Sequence, residues 1–344
     1  MKTKSNLRIG GGWGYDNIGD EAILAGYLET LQHYNPSVIS VDRERTMNAQ
    51  RSDVDVRFCS EFSLPLRSSG SLLLGGGGYL NGHWTPEIQL KLARLVGQKS
   101  QSALVGHGLE LRNLTQPLNS FLTRRLFRHS VLGVRDIKSA AEAEALHLPR
   151  ATVLPDAISL LAPHIGKYLR DIPEVKGKVL VNLLDISRRN DANEAEVDLV
   201  SWKKFCQELV RALGDRAIGL VVGGGDRTFL NQLPGLTLVS PKTVRDLVSL
   251  IHSSDGLVSV RMHPTLIGTI LGTPTVGVPY CGKVRPTLEA IGVQSVLLTQ
   301  LEVHHVLAKL EGRTDFTESW KRAANVNAEW LESAVESTLK RTVE

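Results

Sequence analysis

Short runs of Val, Ile and Leu alternate with amphipathic stretches along most of this chain. Such alternation is typical of βα units, in which a parallel sheet is buried on both faces. The apolar runs predict strands at 7–11, 37–41, 71–74, 102–106, 130–134 and 152–154, and a second series at 178–184, 217–222, 236–239, 256–260, 274–278 and 295–298. The pattern therefore predicts an α/β fold with two parallel sheets.

The two series are separated by residues 163–178, which are rich in Pro, Gly and charge and lack strong periodicity. That composition is typical of a linker. We expect two Rossmann-like domains, at 1–165 and 176–317, with their sheets facing across a cleft, and a closing helix at 318–344. In open sheets of this kind the ligand site lies at the carboxyl ends of the strands.

Composition narrows the function classes. With 344 residues, 42% of them hydrophobic, the chain can build two cores of ordinary size. Three scattered cysteines predict neither disulfides nor a zinc site, and we expect no metal and a reducing, cytoplasmic compartment. No signal peptide or membrane span is predicted. A net charge of +4 fits acidic ligands or loose contact with the inner face of the cytoplasmic membrane, and does not indicate a nucleic-acid partner.

The first candidate motif, residues 11–24, leaves the first strand through glycines and enters a helix. It fails the phosphate-loop pattern, because Asp20 and Glu21 stand where a lysine and a hydroxyl residue belong. Its acceptor side chains Asp16, Asn17 and Asp20 suit sugar hydroxyls. The alternative is a helix cap by Asn17 that requires no ligand.

Two further motifs place glycines at strand ends. Gly75 to Gly78 predict that a substrate or a neighbouring helix approaches the main chain closely, so Gly77 and Gly78 are candidate acceptor contacts. His107, in G-H-G, is a candidate acceptor contact or a structural hydrogen-bonding residue.

Arg135 ends another strand, just before a helix that begins near Asp136. Its guanidinium can grip a carboxylate or a phosphate, or it can pair with Asp136 or Asp156. Asp156 itself can orient an arginine or a substrate hydroxyl, or cap a helix.

The segment 259–279 carries the strongest signal. Along an extended strand Arg261 and His263 would share one face, and Pro264 suits the first position of a helix. Unpaired N–H groups at a helix start favour an anion, and Lys283 leaves the next strand within reach. Together these groups predict a site for a phosphate or a carboxylate.

As a set, these residues resemble the bacterial polysaccharide pyruvyl transferases. The matching pieces are G-W-G-Y-D-N-I-G-D-E-A-I-L at 12–24, G-G-G-G at 75–78, G-H-G at 106–108, V-R-D-I-K-S at 134–139, L-P-D at 154–156, R-M-H at 261–263 and Y-C-G-K-V at 280–284. The chain differs from the common pattern at three places. Gln is usual at His107, Ile-Gly is common at Leu109 and Glu110, and an acidic residue is common near Cys281.

The resemblance implies a GT-B-like fold, phosphoenolpyruvate as donor, no further cofactor, and a sugar or lipid-linked oligosaccharide as acceptor. The domain at 1–165 would be the acceptor side and the domain at 176–317 the donor side. The implied donor-binding residues are Arg135, Arg261, His263 and Lys283. The implied acceptor loop carries Asp16, Asn17 and Asp20.

We expect the donor's phosphate and carboxylate to be neutralised by Arg135, Arg261 and Lys283, His263 to act as acid, and Asp20 to orient the attacking hydroxyl. Asp156 would orient an arginine or a substrate hydroxyl. The alternatives are a GT-B nucleotide-sugar glycosyltransferase or epimerase, and a non-catalytic sugar-binding member of the fold.

Overall fold

The computed structural model describes residues 7–51, 57–60, 69–82, 86–99, 101–188, 198–279 and 284–341. The chain forms two compact units. Unit 1 contains Met1–Tyr15, Asp20–Leu161 and Ala323–Glu344, and unit 2 contains Asp16–Gly19 and Ala162–Arg322. The short segment Asp16–Gly19 therefore belongs to unit 2, although the residues on both sides of it belong to unit 1.

Unit 1 is built on a parallel sheet. Its strands are β1 (Leu7–Gly10), β2 (Ser37–Ser40), β3 (Arg57–Ser60), β4 (Ser69–Leu74), β5 (Gly77–Asn81), β6 (Gln101–Arg112), β7 (Val131–Val134) and β8 (Ala151–Val153). They lie in the order β3-β2-β1-β4-β6-β7-β8, with β5 paired to β6. The helices are α1 (Ile18–Leu31), α2 (Arg43–Ala49), α3 (Glu87–Lys99), α4 (Pro117–Phe127) and α5 (Ile137–Ala145).

Unit 2 repeats this design with a smaller parallel sheet. Its strands are β9 (Val179–Asn182), β10 (Ala217–Leu220), β11 (Thr237–Val239), β12 (Gly256–Ser259) and β13 (Thr275–Gly277), in the order β11-β10-β9-β12-β13. Its helices are α6 (Leu199–Leu213), α7 (Asp226–Leu230), α8 (Val244–Ser253), α9 (Met262–Ile270), α10 (Val284–Ile291) and α11 (Val303–Glu311). A last helix, α12 (Thr317–Arg341), begins in unit 2 and belongs to unit 1 from Ala323 onward.

In both units the strand order reverses beside the first strand, between β1 and β4 and between β9 and β12. Open parallel sheets bind ligands outside the carboxyl ends of the strands at such a reversal. The strands there are buried on both faces, as their continuous apolar runs predict. The fold thus directs attention to the loops that follow β1, β4, β9 and β12.

Several predicted elements differ from the structure. The predicted strand 295–298 is wrong, because Gln294–Val296 form a turn of 3-10 helix and Leu297 makes only an isolated bridge to Gly277. Strands β3 and β5 were not predicted. In the predicted linker, residues up to Tyr168 continue a 3-10 helix that begins at Ala157.

Candidate functional site

The segment Asp16–Gly19 lies against the loop that follows β10 in unit 2. Asn17 forms an antiparallel bridge with Gly223, Ile18 N donates to Val222 O at 3.1 Å, and Gly224 N donates to Asp16 O at 3.2 Å. A Cβ on Gly223 would lie 2.9 Å from Asp16 O, so this approach requires glycine. The segment Asp16–Gly19 is thereby held within unit 2 by backbone hydrogen bonds.

Asn17 also caps the helix that follows it. Its Oδ1 accepts a hydrogen bond from Gly19 N at 3.2 Å, at the start of α1. This hydrogen bond has the geometry of the capping alternative for Asn17. Asp16 is exposed beside Gly224, with a φ of 27°, and Asp20 is half-buried in unit 1.

Arg261 lies beside this loop and pairs with Asp226, a residue that the sequence did not single out. Nε of Arg261 donates to Oδ1 and Oδ2 of Asp226 at 3.0 and 2.9 Å, and Nη2 donates to Oδ1 at 2.7 Å. The Asp226 side chain is 1% exposed, whereas that of Arg261 is 18% exposed. The guanidinium is held in one orientation and keeps an accessible edge.

Asp226 is itself held by three donors besides the arginine. Its Oδ2 accepts from Val222 N at 3.0 Å, from Gly223 N at 3.2 Å and from Asn182 Nδ2 at 3.0 Å. Asn182 ends β9, and its register with Ser259 of β12 brings it beside Arg261. The only sequence signal for Asp226 was its place after three glycines at the end of a predicted strand.

His263 lies in the first turn of α9. Strand β12 ends at Ser259, Arg261 is the residue before the helix, and Pro264 is its third residue. The predictions that Arg261 and His263 share a strand face and that Pro264 opens the helix are therefore wrong. No side chain of the described residues caps this helix start. A helix start without a side-chain cap favours an anion, although Pro264 contributes no N–H group there.

Gly19 fixes the position of the His263 ring. A Cβ at Gly19 would lie 2.9 Å from both Cβ and Nδ1 of His263. His263 as a whole residue is buried, with 8% of its surface exposed. Contact with the amino-terminal segment therefore depends on the missing side chain of Gly19.

Arg135, in unit 1, lies among carboxylates. The β6–β7 register pairs Leu109 with Val134, so Glu110 lies beside Arg135. Nη2 of Arg135 makes a short ion pair with Glu110, and its Nη1 lies 3.9 Å from Oδ2 of Asp156. Burial alone would lower the pKa of Arg135, but the nearby carboxylates, chiefly Glu110, outweigh it and raise the pKa.

The charge around Arg135 is acidic overall. Asp136 lies 3.6 Å from Nε of Arg135, and Asp20 adds to the same field. Arg112 makes a second ion pair to Glu110 at 2.5 Å. Four carboxylates thus surround two guanidiniums. Arg135, Glu110 and Asp156 are all buried, so these charges compensate one another inside the fold. Donor binding by Arg135 stays a prediction.

The glycine run has a structural explanation. A Cβ on Gly78 would lie 2.5 Å from Oε2 of Glu110, and one on Gly76 would lie 3.0 Å from Cβ of Ala157. Gly77, with a φ of 118°, starts β5 near Asp20. The glycines therefore bring the backbone close to the same carboxylates. Acceptor binding by Gly77 and Gly78 stays a prediction.

His107 is fully buried and hydrogen bonded through both ring nitrogens. Its Nδ1 lies 2.7 Å from Oη of Tyr27, and its Nε2 lies 3.1 Å from Oδ1 of Asn327 in α12. Burial lowers the pKa of His107 to about 3, so the ring is neutral at ordinary pH. The ring also lies 5.5 Å from that of Trp330, measured between centroids. The placement favours the structural alternative for His107 over acceptor contact.

The hydrogen bonds of His107 continue on both sides. Gly76 N donates to Oη of Tyr27 at 2.9 Å, and Nδ2 of Asn327 donates to the backbone oxygens of Pro155 and Asp156 at 3.1 and 3.2 Å. This chain of hydrogen bonds ties the glycine run to the turn that carries Asp156. Oδ1 of Asp156 also accepts from Ile158 N at 3.0 Å, which is the capping alternative for this residue.

Lys283 and Cys281 lie outside the described residues. Among the residues that are described, Glu302, His304 and His305 group as potential metal ligands. No helix in the described ranges is long and apolar enough to cross a membrane. Cytoplasmic location stays a prediction.

Comparisons with known proteins agree with this geometry. A profile of the polysaccharide pyruvyl transferase family matches residues 17–282. No curated protein sequence matches the chain. Among solved structures, the chain is similar to UDP-N-acetylglucosamine 2-epimerase from Rickettsia bellii, with a TM-score of 0.61, 11% identity and 98% of each chain covered. It is also similar to UDP-GlcNAc 2-epimerase from Neisseria meningitidis bound to UDP-GlcNAc, with a TM-score of 0.52, 15% identity and 98% of each chain covered.

At these identities the likeness shows the fold alone. Those epimerases have the GT-B fold, and the predicted class of two Rossmann-like α/β domains with parallel sheets, of GT-B type, is confirmed.

Proposed function

Because this chain belongs to the polysaccharide pyruvyl transferase family, we propose that it transfers pyruvate from phosphoenolpyruvate to a sugar of a polysaccharide or lipid-linked oligosaccharide, forming a cyclic ketal. One observation carries the proposal. In unit 2 the segment Asp16–Gly19 lies against Arg261 and His263 at the uncapped start of α9. A helix start with a guanidinium and an imidazole suits a small dianion.

The donor carries a phosphate and a carboxylate that repel each other. In this proposal the first N–H groups of α9 and the exposed edge of Arg261 bind one of them, and Lys283 binds the other. The ion pair with Asp226 orients Arg261 before the donor arrives, which lowers the cost of arranging the site.

The reaction balances with one acid. His263 gives a proton to the methylene carbon of the enol, and the central carbon becomes oxocarbenium-like. One sugar hydroxyl attacks that carbon and loses its proton, which restores the acid. A second hydroxyl of the same sugar then displaces phosphate, and its proton leaves with the phosphate.

Acceptor binding in unit 1 is proposed at the partly exposed groups that border the buried ion pairs of Arg135. Asp20 and the backbone of Gly77 and Gly78 would receive sugar hydroxyls there. Acceptor contact by Asp16 and Asn17, which belong to unit 2, stays a prediction. Arg135 and Asp156 then act as positioning residues, because their charges already compensate each other.

Phosphate release tests this proposal directly. Candidate glycan acceptors incubated with phosphoenolpyruvate should gain pyruvate with loss of water, measured by mass spectrometry, while phosphate accumulates. A His263→Ala variant should lose phosphate release by at least a hundredfold and still be stabilised thermally by phosphoenolpyruvate. The matched control is His252→Ala, an exposed histidine of the same unit. Near-normal turnover of His263→Ala would remove His263 from the chemistry.

The fold is also compatible with a second candidate function. The similar Neisseria structure is an epimerase bound to UDP-GlcNAc, so a nucleotide-sugar enzyme is the alternative that the fold favours. Release of UDP from a nucleotide sugar, with no phosphate from phosphoenolpyruvate, would establish it. If neither compound raises the melting temperature, the non-catalytic sugar-binding alternative gains support.

A further inference from the structure

The first two turns of helix α4 expose apolar side chains and bury polar ones. Leu118 is 49% exposed and Phe121 is 60% exposed, while the polar residues Asn119, Ser120 and Thr123 are buried. A surface helix ordinarily turns its apolar side chains inward and its polar ones toward water. The outer face of α4 is therefore arranged for surroundings other than water.

The buried polar side chains do not explain this arrangement. Nδ2 and Oδ1 of Asn119 and Oγ1 of Thr123 are buried, and none has a hydrogen-bond partner within the part of the chain that the structure describes. Buried polar atoms without partners cost stability. Inward hydrogen bonding thus does not account for turning Leu118 and Phe121 outward, and an apolar contact on the outside does.

The same outer stripe becomes basic toward the end of the helix. Arg125 follows Leu118 by seven residues, and Arg128 follows Phe121 by seven, so these four side chains share one face. Arg124 is exposed next to them and donates from Nε to Leu146 O at 2.9 Å. The helix contains no acidic residue. The face thus combines two large apolar side chains with three cations.

Topology places the apolar end of this face at the substrate edge of unit 1. A helix that follows a parallel strand begins at the carboxyl end of that strand, and α4 follows β6. Gly75 and Gly76 follow the end of β4, and Arg135 follows the end of β7, in the same sheet. Leu90, on the adjoining helix α3, is 54% exposed and extends the apolar character.

We propose that the outer face of α4, formed by Leu118, Phe121, Arg124, Arg125 and Arg128, docks on an anionic phospholipid surface. Apolar side chains at one end of the face and arginines at the other, on a helix that contains no acidic residue, match the acyl boundary and the charged headgroups of such a surface. This inference extends the proposed function, because a membrane docked there would present a lipid-linked sugar to unit 1.

Vesicle flotation tests the docking without donor or acceptor, so its result does not depend on the reaction. The intact protein should float with vesicles of phosphatidylcholine and phosphatidylglycerol and much less with phosphatidylcholine alone. Each arginine near an anionic surface strengthens binding about fivefold. Arg125→Gln with Arg128→Gln should therefore weaken binding about 25-fold, and high salt should weaken that of the unmodified protein. Leu118→Ser with Phe121→Ser should weaken binding at least tenfold.

Matched controls come from unit 2. Leu199 and Val200 are 49% and 77% exposed at the start of α6, and Arg211 and Arg216 are exposed nearby in sequence. The corresponding Ser and Gln pairs should bind vesicles like the unmodified protein. All variants should keep its melting temperature within about 2 °C, which excludes unfolding as the cause.

Two results would overturn the proposal. One is that the unmodified protein does not float with anionic vesicles, or that the α4 variants float as it does. The other is that Leu118→Ser with Phe121→Ser converts a dimer to a monomer while vesicle binding is unchanged, since the face would then be a contact between copies of this chain.

Discussion

Replacing His107 with Gln should reduce the loss of unfolding free energy that the protein suffers when the pH is lowered. The folded protein holds this imidazole neutral, with a pKa of about 3 against an ordinary value of 6.5, chiefly because of burial. The unfolded chain binds a proton below pH 6.5 and the folded chain does not, so acid stabilises the unfolded state. Stability from this group is therefore present above pH 6.5 and is lost as the pH falls toward 3.

The size of the effect follows from the pKa difference. At pH 5 the histidine of the unfolded chain is protonated, because pH 5 lies 1.5 units below its ordinary pKa of 6.5, whereas the folded one remains neutral. Each of these pH units favours the unfolded state by about 1.4 kcal/mol. The penalty at pH 5 is thus about 2 kcal/mol relative to pH 7.5. Glutamine has no titration, and its amide can accept from Tyr27 Oη and donate to Asn327 Oδ1, so both hydrogen bonds can be kept.

Urea denaturation at pH 7.5 and pH 5.0 measures this difference. The unmodified protein should lose about 2 kcal/mol more of its unfolding free energy between the two pH values than His107→Gln does. A constant packing cost of the variant cancels in this comparison. The control is His33→Gln, an exposed histidine, which should follow the unmodified protein. Equal losses in His107→Gln and the unmodified protein would refute a neutral buried imidazole.

Two predictions concern the site in unit 2. Gly19→Ala should shift His263 and lower turnover about a hundredfold, because the new Cβ would lie 2.9 Å from the imidazole. Turnover is measured as phosphate release. The control is Gly166→Ala, which has open space around it and should leave turnover unchanged. Asp226→Ala should destabilise unit 2 by about 3 kcal/mol, because it leaves Arg261 without its buried partner. Urea denaturation measures this loss, and Asp215→Ala, at an exposed position, is the control. Equal unfolding midpoints for the two variants would contradict a stabilising Arg261–Asp226 ion pair.

Sequence reasoning placed the candidate residues near strand ends but did not identify the side chains that contact them. The apolar runs placed Arg135, Arg261 and His263 near strand ends, and the structure places them there. Glu110 was visible only as a departure from the common Ile-Gly after Gly108, and its contact with Arg135 depends on the β6–β7 register. The helical position of His263 was missed because two residues separate β12 from α9, where an extended segment was expected.

The amino-terminal loop shows the same limit. Its spacing of carboxylates and amide suggested contact with a sugar, and its capping alternative was equally visible in the sequence. Its bridge to Gly223, more than two hundred residues away, was not, because that bridge is made by backbone groups that carry no side-chain signal.

The sequence by itself determined the class of fold and the strand ends at which the candidate residues lie, because apolar periodicity acts over a few residues and specifies strands, helices and their ends. The tertiary structure alone decided which charges remain available: Arg135 is compensated by Glu110, Arg261 is oriented by Asp226, and His107 is neutral. The physical reason is that ion pairing and desolvation depend on the register and burial of strands far apart in sequence, which no local pattern encodes.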